Sequence, residues 1–337
     1  MQETRYDVVG IGNAIVDIIG RCDDAFLSKH DLAKGFMRLI DAQQADRLYG
    51  FMGPSIERSG GSAANTIAGL ASFGGKGAFI GRVADDQFGK VFWHDIRASG
   101  VAFETPPATS GLPTAVCLIL VTPDGERTMN TFLGASTELG AGEVDAGIIA
   151  AAKVTYLEGY LFDKPEAKEA FHAAAAIAAK AGRKTALSLS DAFCVDRHRT
   201  DFRKLVKSEI DILFANEKEI TALYEVNSFD EAVTAVRGEC EIAVLTRSGE
   251  GSLIVTANET VQVRPAHVDK VVDATGAGDL YAAGFLFGFT RNLKLADCGR
   301  LGSLAAAEVI SHIGARPERP LSAIAQQEGL VAGNPLR

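Results

Sequence analysis

The sequence has few cysteines, and they are not arranged as metal ligands or as a disulfide framework. Five cysteines are scattered along 337 residues, and no two of them form a CxxC pair. An odd number at irregular spacing fits neither a zinc site nor a small secreted domain held by disulfides. We therefore expect a reducing, cytoplasmic setting.

Long apolar runs and an excess of positive charge are also missing. No apolar run reaches the roughly 18 residues of a membrane span without a charge or turn residue, and Glu3, Arg5 and Asp7 precede the first apolar strand where a signal peptide would be apolar. The formal net charge of −9 argues against a general surface for nucleic acid or anionic membrane. We expect neither partner, so any phosphate site has to be built locally.

Strand and helix signals alternate along most of the chain. Buried strands predicted at 6–12, 78–81, 154–157 and 212–214 are separated by helices, as at 85–99, 165–181 and 201–206. This alternation predicts an α/β fold with a mostly parallel sheet. Residues 114–122 and 127–132 flank an Asp-Gly turn and predict a hairpin. With short strands near 18–20 and 37–40, it predicts a small β lid over the active edge, formed by about 14–40 and 112–134.

The stretch from Asp273 to Asp279 is the main candidate for chemistry. Gly276, Ala277 and Gly278 stand where a loop becomes a helix, so bare backbone N–H groups can meet an anion at the positive end of the helix dipole. Asp279 follows at once and could accept a proton from a substrate hydroxyl. The alternative is an ordinary helix start with an acidic residue in its first turn.

Two further segments place polar groups near predicted strand ends. Asn13 and Asp17 follow the first strand, at the edge where open α/β sheets bind ligands, and a carboxylate can accept hydrogen bonds from vicinal hydroxyls. Gly60 and Gly61 precede a helix that carries Asn65 one turn inside, so a ligand could approach the backbone. The alternatives are a turn Asn with a solvated Asp, and a glycine turn with the following serine as N-cap.

Polar groups also recur in the second half of the chain. Asn216 and Glu219 lie one helical turn apart and could order a hydrated Mg²⁺, although the same pair is typical of a capping box. A polar glycine turn covers 246–251. His312 is interpreted as a loop or helix-end residue, because no His or Cys lies at ligand spacing.

Near the N-terminus, Gly10-x-Gly12 lacks the third glycine of a dinucleotide fingerprint, which weakens an oxidoreductase interpretation.

Taken in chain order, residues 60–65, 216–219, 246–251 and 273–279 resemble the motifs of the PfkB, or ribokinase-like, family of carbohydrate and nucleoside kinases. Ala274 departs from the Thr that many members carry. The resemblance implies one domain over 1–337, a Rossmann-like three-layer ribokinase fold with a mostly parallel central sheet and a small β lid. It implies Asp279 as general base and the 276–278 amides as anion hole, without the P-loop mechanism, because no Walker A sequence is present.

The family resemblance also implies the ligands. ATP is the implied co-substrate, and its implied site residues are Asn216, Thr246, Ser248, Gly249, Gly251, Thr275 and His312. Asn216 and Glu219, the latter through water, would order Mg²⁺, and K⁺ near 269–275 follows from resemblance alone. Residues 12–17 and 59–65 are most similar to the adenosine kinase branch, which implies phosphorylation of a ribonucleoside 5′-hydroxyl, preferably adenosine to AMP.

The implied acceptor residues are Asn13, Asp17, Gly60, Gly61, Asn65, Arg127 and Tyr160. Asp17 would hold the ribose hydroxyls, and Arg127 on the lid would swing toward the phosphates. Phe36, Phe132, Leu133, Tyr160 and Phe162 are candidates for a base slot. Ribokinase or another sugar kinase is the alternative activity, and a nucleoside-binding protein without chemistry is a more remote one. The expected partners are small molecules, and the chain is expected to be a monomer or homodimer.

Overall fold

The computed structural model describes residues 4–331, which form fourteen strands and twelve α-helices. The strands are β1 (Tyr6–Ile11), β2 (Ile15–Arg21), β3 (Met37–Leu39), β4 (Ser55–Gly60), β5 (Gly77–Ile80), β6 (Ala102–Phe103), β7 (Ala115–Val121), β8 (Arg127–Phe132), β9 (Ala152–Glu158), β10 (Lys184–Ser188), β11 (Ile212–Asn216), β12 (Ile242–Thr246), β13 (Ser252–Val255) and β14 (Thr260–Val263). The helices are α1 (Asp24–Lys29), α2 (Ala42–Phe51), α3 (Ser62–Ser72), α4 (Gln87–Ala98), α5 (Ala146–Ala150), α6 (Pro165–Lys180), α7 (Ala192–Ser208), α8 (Glu217–Tyr224), α9 (Phe229–Val236), α10 (Ala277–Phe289), α11 (Leu295–Val309) and α12 (Leu321–Gln327).

The main sheet has nine strands in the order β14-β13-β12-β11-β10-β9-β1-β5-β6. Only the β12–β13 and β13–β14 pairings are antiparallel in the described sheet. Each residue of β1 is buried, because helices cover both faces of a parallel sheet. Val8 packs in the cluster that contains α3, α10 and α11 residues, whereas Val9 and Ile11 pack with α6 and α7 residues. The predicted three-layer α/β fold with a mostly parallel sheet is confirmed.

The position of β1 locates the ligand edge of this sheet. β1 pairs with β5 on one side and with β9 on the other. The strand order therefore continues from β1 toward both edges of the sheet, which makes β1 a switch point. A crevice opens outside the carboxyl ends of strands at such a switch point. Asn13, just after β1, and Glu158, the last residue of β9, both lie there.

A second sheet has five strands in the order β3-β8-β7-β2-β4. The two predicted lid segments supply β2, β3, β7 and β8, including the predicted hairpin. β4 was not predicted as a strand, and it extends this sheet by pairing antiparallel with β2 from Ile15↔Gly60 to Gly20↔Ser55. Side chains alternate between the two faces, so Val16 and Ile18 enter the core while Asp17 faces the opposite way.

Two helices differ from the sequence prediction. A helix predicted near 201–206 is the longer α7, which begins after its N-cap Asp191 and is kinked at His198. α2 was not assigned, although Asp41 and Gln44 form a capping box at its start. No described helix is long and apolar enough to cross a membrane.

Candidate active site

The anion loop, defined here as residues 273–279, leads into helix α10. Gly276 is the N-cap with φ 81°, and a Cβ there would lie 2.8 Å from the Cβ of Ala315. Only glycine fits this combination of left-handed backbone and close packing. No side chain caps the first turn, and a Cβ at Gly278 would meet nothing within 4 Å. The amides of 276–278 therefore start a helix on an open side of the loop, as an anion site requires.

Asp273 braces the anion loop and joins it to the lid. Its carboxylate accepts hydrogen bonds from the backbone N–H of Thr275 at 3.0 Å and of Gly314 at 2.8 Å. It also forms an ion pair with Arg127 of β8, and both side chains are buried. Arg127, expected to swing toward the phosphates, thus places its guanidinium on the loop itself. The pair is a direct contact between the lid sheet and the anion loop.

Asp279 receives two hydrogen bonds from helix α3. Ser62 Oγ donates to Oδ1 at 2.6 Å, and Asn65 Nδ2 donates to Oδ2 at 3.2 Å. Ser62 is therefore not the N-cap of α3, which is Gly61, but a partner of the candidate base. Burial raises the pKa of Asp279 to about 6, and these two hydrogen bonds and the charge of Arg316 oppose that rise. The carboxylate is thus ionised at neutral pH yet basic enough to take a proton.

The glycine pair at 60–61 makes room for Asp17. A Cβ at Gly60 would lie 2.3 Å from Asp17 Oδ2, and one at Gly61, where φ is 96°, would lie 2.1 Å from the carbonyl oxygen of Asn13. Burial raises the pKa of Asp17 to about 6, Asp279 adds to this, and Arg127 and Arg316 oppose it. Within residues 4–331 no donor is hydrogen-bonded to the Asp17 carboxylate, so its oxygens are available to substrate hydroxyls.

Glu158 is a site residue that no sequence motif indicated. Its Oε1 accepts from Asn13 Nδ2 at 2.7 Å, and its Oε2 accepts from the N–H of Ala63 at 2.8 Å. Ser136 Oγ donates to Asn13 Oδ1 at 2.9 Å, so the Asn13 amide is already engaged by protein groups. Burial raises the pKa of Glu158 to about 7. A glutamate at the end of the predicted strand 154–157 was the available sequence signal.

The predicted nucleotide-side residues lie on adjacent strand ends. Asn216 of β11 and Thr246 of β12 are register partners. The turn after β12 carries Ser248 at φ 49° and Gly249, and it ends at Gly251, where φ is 85° and a Cβ would lie 2.2 Å from the carbonyl oxygen of Val263. These residues therefore form one polar edge beside the end of β11.

Asn216 and Glu219 do form the capping box that was the alternative interpretation. Glu219 Oε2 accepts from the backbone N–H of Asn216 at 2.9 Å, and its Oε1 contacts the Asn216 amide. Burial raises the pKa of Glu219 to about 7, and the nearby charges of Asp191 and Asp279 add to this. No group of three metal-ligating side chains occurs among the described residues. This donor set fits a hydrated Mg²⁺ held through its waters and does not fit direct ligation.

The aromatic candidates and His312 divide by exposure. Phe132 and Phe162 are buried, and Phe162 stacks on Phe202 with ring centroids 4.6 Å apart, so neither ring can serve as a base platform. Tyr160 lies at the end of β9, partly exposed, with its hydroxyl donating to the Ser190 carbonyl at 3.2 Å. Phe36 is exposed. The imidazole of His312 lies 3.3 Å from Glu308 Oε2 and 3.9 Å from Glu318 Oε1.

Comparisons with known proteins agree with this layout. Residues 56–321 match the profile described as pfkB family carbohydrate kinase. The chain is 52% identical to a probable sugar kinase from Rhizobium etli CFN 42, with TM-score 0.90 and coverage of 97% of this chain and 100% of that one. It is 53% identical to an adenosine kinase from Sinorhizobium meliloti, with TM-score 0.89 and coverage of 96% and 100%. It is 25% identical to the Saccharomyces cerevisiae adenosine kinase over 332 residues, covering 91% of this chain and 95% of that one.

An anion loop, an adjoining carboxylate and a lid sheet over the same crevice are the layout of a sugar or nucleoside kinase. The chain belongs to the PfkB family of carbohydrate kinases. Membership implies ATP as co-substrate, usually with Mg²⁺, and a small-molecule acceptor. Other curated relatives are described as sugar kinases and fructokinases, so the comparisons agree on the class of kinase and differ on the acceptor.

Proposed function

We propose that this protein is an ATP-dependent nucleoside kinase that phosphorylates the 5′-hydroxyl of a ribonucleoside, with adenosine converted to AMP. One observation carries the kinase chemistry: Asp279 lies in the first turn of α10, the helix that the anion loop begins, next to the 276–278 amides. The similarity at 53% identity to a protein described as adenosine kinase supports the nucleoside acceptor. Residues 12–17 and 59–65, similar to that branch, support it further.

In the proposed reaction Asp279 accepts the proton of the acceptor hydroxyl. The oxygen then attacks the γ-phosphorus of ATP, a new O–P bond forms, and the bond to the β-phosphate oxygen breaks to release ADP. The 276–278 amides stabilise the charge on the phosphoryl oxygens in transit. Asp17 accepts hydrogen bonds from the ribose hydroxyls, with Gly60 and Gly61 giving access, while Asn13 and Asn65 hold the surrounding groups in place.

The nucleotide is proposed to lie along the ends of β11 and β12, against the residues Asn216, Thr246, Ser248, Gly249, Gly251, Thr275 and His312. Hydrated Mg²⁺, ordered near Glu219 and Asn216, would supply charge neutralisation of the phosphates. K⁺ beside 269–275 is part of the proposal. So are Arg127 and Tyr160 as acceptor-side residues, a single kinase domain over 1–337, a cytoplasmic location and a monomeric or homodimeric state.

A sugar kinase is the second candidate, because an unpartnered carboxylate beside a glycine pair holds the vicinal hydroxyls of a free sugar equally well. A panel of acceptors separates the two. Adenosine, guanosine, cytidine, uridine, ribose and fructose are incubated with ATP and Mg²⁺, ADP release is measured, and the phosphorylated position is read by ³¹P NMR. We expect adenosine to give the highest kcat/KM and a 5′-phosphate. A higher kcat/KM for ribose or fructose would overturn the nucleoside assignment.

The same assay tests the base. Asp279→Ala should lower kcat on the order of a hundredfold to ten-thousandfold while nucleotide binding persists. Asp46→Ala, an exposed change on α2, is the matched control and should retain full turnover. Ordinary turnover in the Asp279 variant would remove that residue from its role.

A further inference from the structure

Arg316 is a cation of the active crevice that no sequence motif indicated. It follows Gly314 and Ala315, the residues that pack on the anion loop. Its Nε donates to Asn65 Oδ1 at 2.8 Å, and its Nη2 donates to the carbonyl oxygen and to Oγ of Ser59 at 3.0 and 3.1 Å. Burial lowers the pKa of Arg316 to about 10, so the guanidinium remains charged at neutral pH.

These hydrogen bonds continue in both directions. Ser59 donates through its N–H and its hydroxyl to Asp95 Oδ2 of α4, at 2.8 and 2.6 Å. Asn65 donates through Nδ2 to Asp279 Oδ2 at 3.2 Å. A carboxamide has one oxygen and one NH₂ group. Because Arg316 holds the oxygen of Asn65, the NH₂ group is left facing Asp279, and the amide has one orientation.

The charge of Arg316 also faces the acidic side of the crevice, acting on Asp95, Asp17 and Asp279. Asp279 otherwise has mostly acidic or phenolic neighbours on the elements around it: Asp17 of β2, Tyr156 and Glu158 of β9, Tyr160 after β9, and Glu219 of α8. Like charges disfavour ionisation of a buried carboxyl, and an opposite charge favours it. Arg316 is therefore a counter-charge to this group.

We propose that Arg316 is a positioning residue for the base: it fixes the Asn65 amide so that its NH₂ group donates to Asp279, and it supplies positive charge beside the ionised carboxylate. This inference rests on the proposed role of Asp279 as general base. It predicts two separable effects, one from charge and one from hydrogen-bond geometry. A lysine at 316 restores the charge but cannot bond Asn65 and Ser59 with the same planar fork.

The test compares Arg316→Met, Arg316→Lys and the control Arg319→Met, an exposed arginine three residues further on. The pH dependence of kcat/KM is measured with the acceptor that the unchanged protein phosphorylates fastest. For Arg316→Met we expect the acid limb to move up by about 0.5–1 pH unit and kcat to fall about tenfold or more, with the KM for ATP little changed. In Arg316→Lys the acid limb of the kcat/KM profile should return most of the way to its original pH, while kcat remains low. Arg319→Met should match the unchanged protein in both.

A second readout needs no acceptor. The side-chain ¹⁵N–¹H₂ signal of Asn65, assigned by its loss in Asn65→Asp, is followed against pH, because its donor contact reports the protonation of Asp279. The midpoint should rise in Arg316→Met and stay near the original in Arg316→Lys. An unmoved midpoint in Arg316→Met, or full kcat in Arg316→Lys, would overturn the inference. If the Met variant does not fold, the Lys variant alone decides, by its kcat.

Failure of the inference differs from failure of the proposed function. If a sugar proves to be the acceptor, the nucleoside proposal fails, while the Arg316 comparison is made with that sugar. If Asp279→Ala retains turnover, the base assignment fails and the inference fails with it. If Asp279 is required and the Arg316 variants show no pH effect, the inference fails by itself.

Discussion

Replacing Asp279 by asparagine is expected to stabilise the protein while removing its turnover. Burial raises the pKa of this carboxyl from its ordinary 3.8 to about 6 despite the hydrogen bonds from Ser62 and Asn65. A carboxyl with a higher pKa in the folded chain than in the unfolded chain binds its proton more tightly when folded. Keeping it ionised at neutral pH therefore lowers the free energy of unfolding.

The magnitude follows from that shift. A rise of about two units corresponds to roughly 3 kcal/mol, at about 1.4 kcal/mol per unit. Asp279 borders an open crevice, and water there screens the charge, so we take about half of this value. Asparagine keeps an oxygen for the Ser62 hydroxyl but its NH₂ group cannot accept from Asn65, a loss of about 0.5–1 kcal/mol. The expected net gain at pH 7.5 is about 0.5–1 kcal/mol.

The sign of the pH dependence gives the sharper test. Well below pH 3.8 the carboxyl is protonated in both folded and unfolded chains, and its penalty is absent. The penalty appears as pH rises from 3.8 to about 6 and is complete above that. Urea unfolding followed by circular dichroism at pH 4.5 and 7.5 measures the difference, with the exposed change Asp46→Asn as control. If the Asp279→Asn variant were less stable than the unchanged protein at pH 7.5, or if the difference in stability were equal at both pH values, burial would not be what penalises the Asp279 charge.

Three further changes test the site. Gly61→Ala should lower both the melting temperature and acceptor affinity, because its Cβ would lie 2.1 Å from a carbonyl oxygen and φ is 96°. A Cβ at Gly53 would meet nothing within 4 Å, so Gly53→Ala should change neither the melting temperature in calorimetry nor the acceptor affinity in kinetics. Arg127→Met removes the ion pair between lid and anion loop, so kcat should fall about tenfold or more, and unchanged kcat would count against a coupled lid. Glu158→Gln should raise the KM of the acceptor, because an NH₂ group would then face the N–H donors of Asn13 or Ala63 in the proposed acceptor site, and an unaltered acceptor KM would contradict this.

The sequence predicted the layered fold because strand and helix periods are local. The strands β1, β9 and β11 each contain a short apolar run, and the helices between them have a polar face. β4 was not predicted because its sequence has no apolar run. Ser55–Gly60 reads Ser-Ile-Glu-Arg-Ser-Gly, with little apolar content. It is a strand because β2 offers it a partner, and pairing between separate segments is not visible in either segment alone.

Site motifs could also be predicted from the sequence where the local backbone conformation favours one residue type. Gly61 and Gly276 both have positive φ, a conformation that glycine adopts readily. Asp279 was identified because it closes such a motif. In contrast, the Asn216 and Glu219 pattern fitted two interpretations, and the structure contains the capping box, because the two side chains hydrogen-bond each other's backbone.

Local residue patterns were enough to predict the alternation of strands and helices, the glycines at turns with positive φ, and the carboxylate beside the anion loop. The contacts that distant side chains make around that carboxylate arise only when the sheets and helices pack together. Glu158 reaches Asn13 across 145 positions, and Arg316 reaches Asn65 across 251. A hydrogen bond between such distant positions depends on the register of the sheets and the packing of helices on them, and no local pattern of residues records either one.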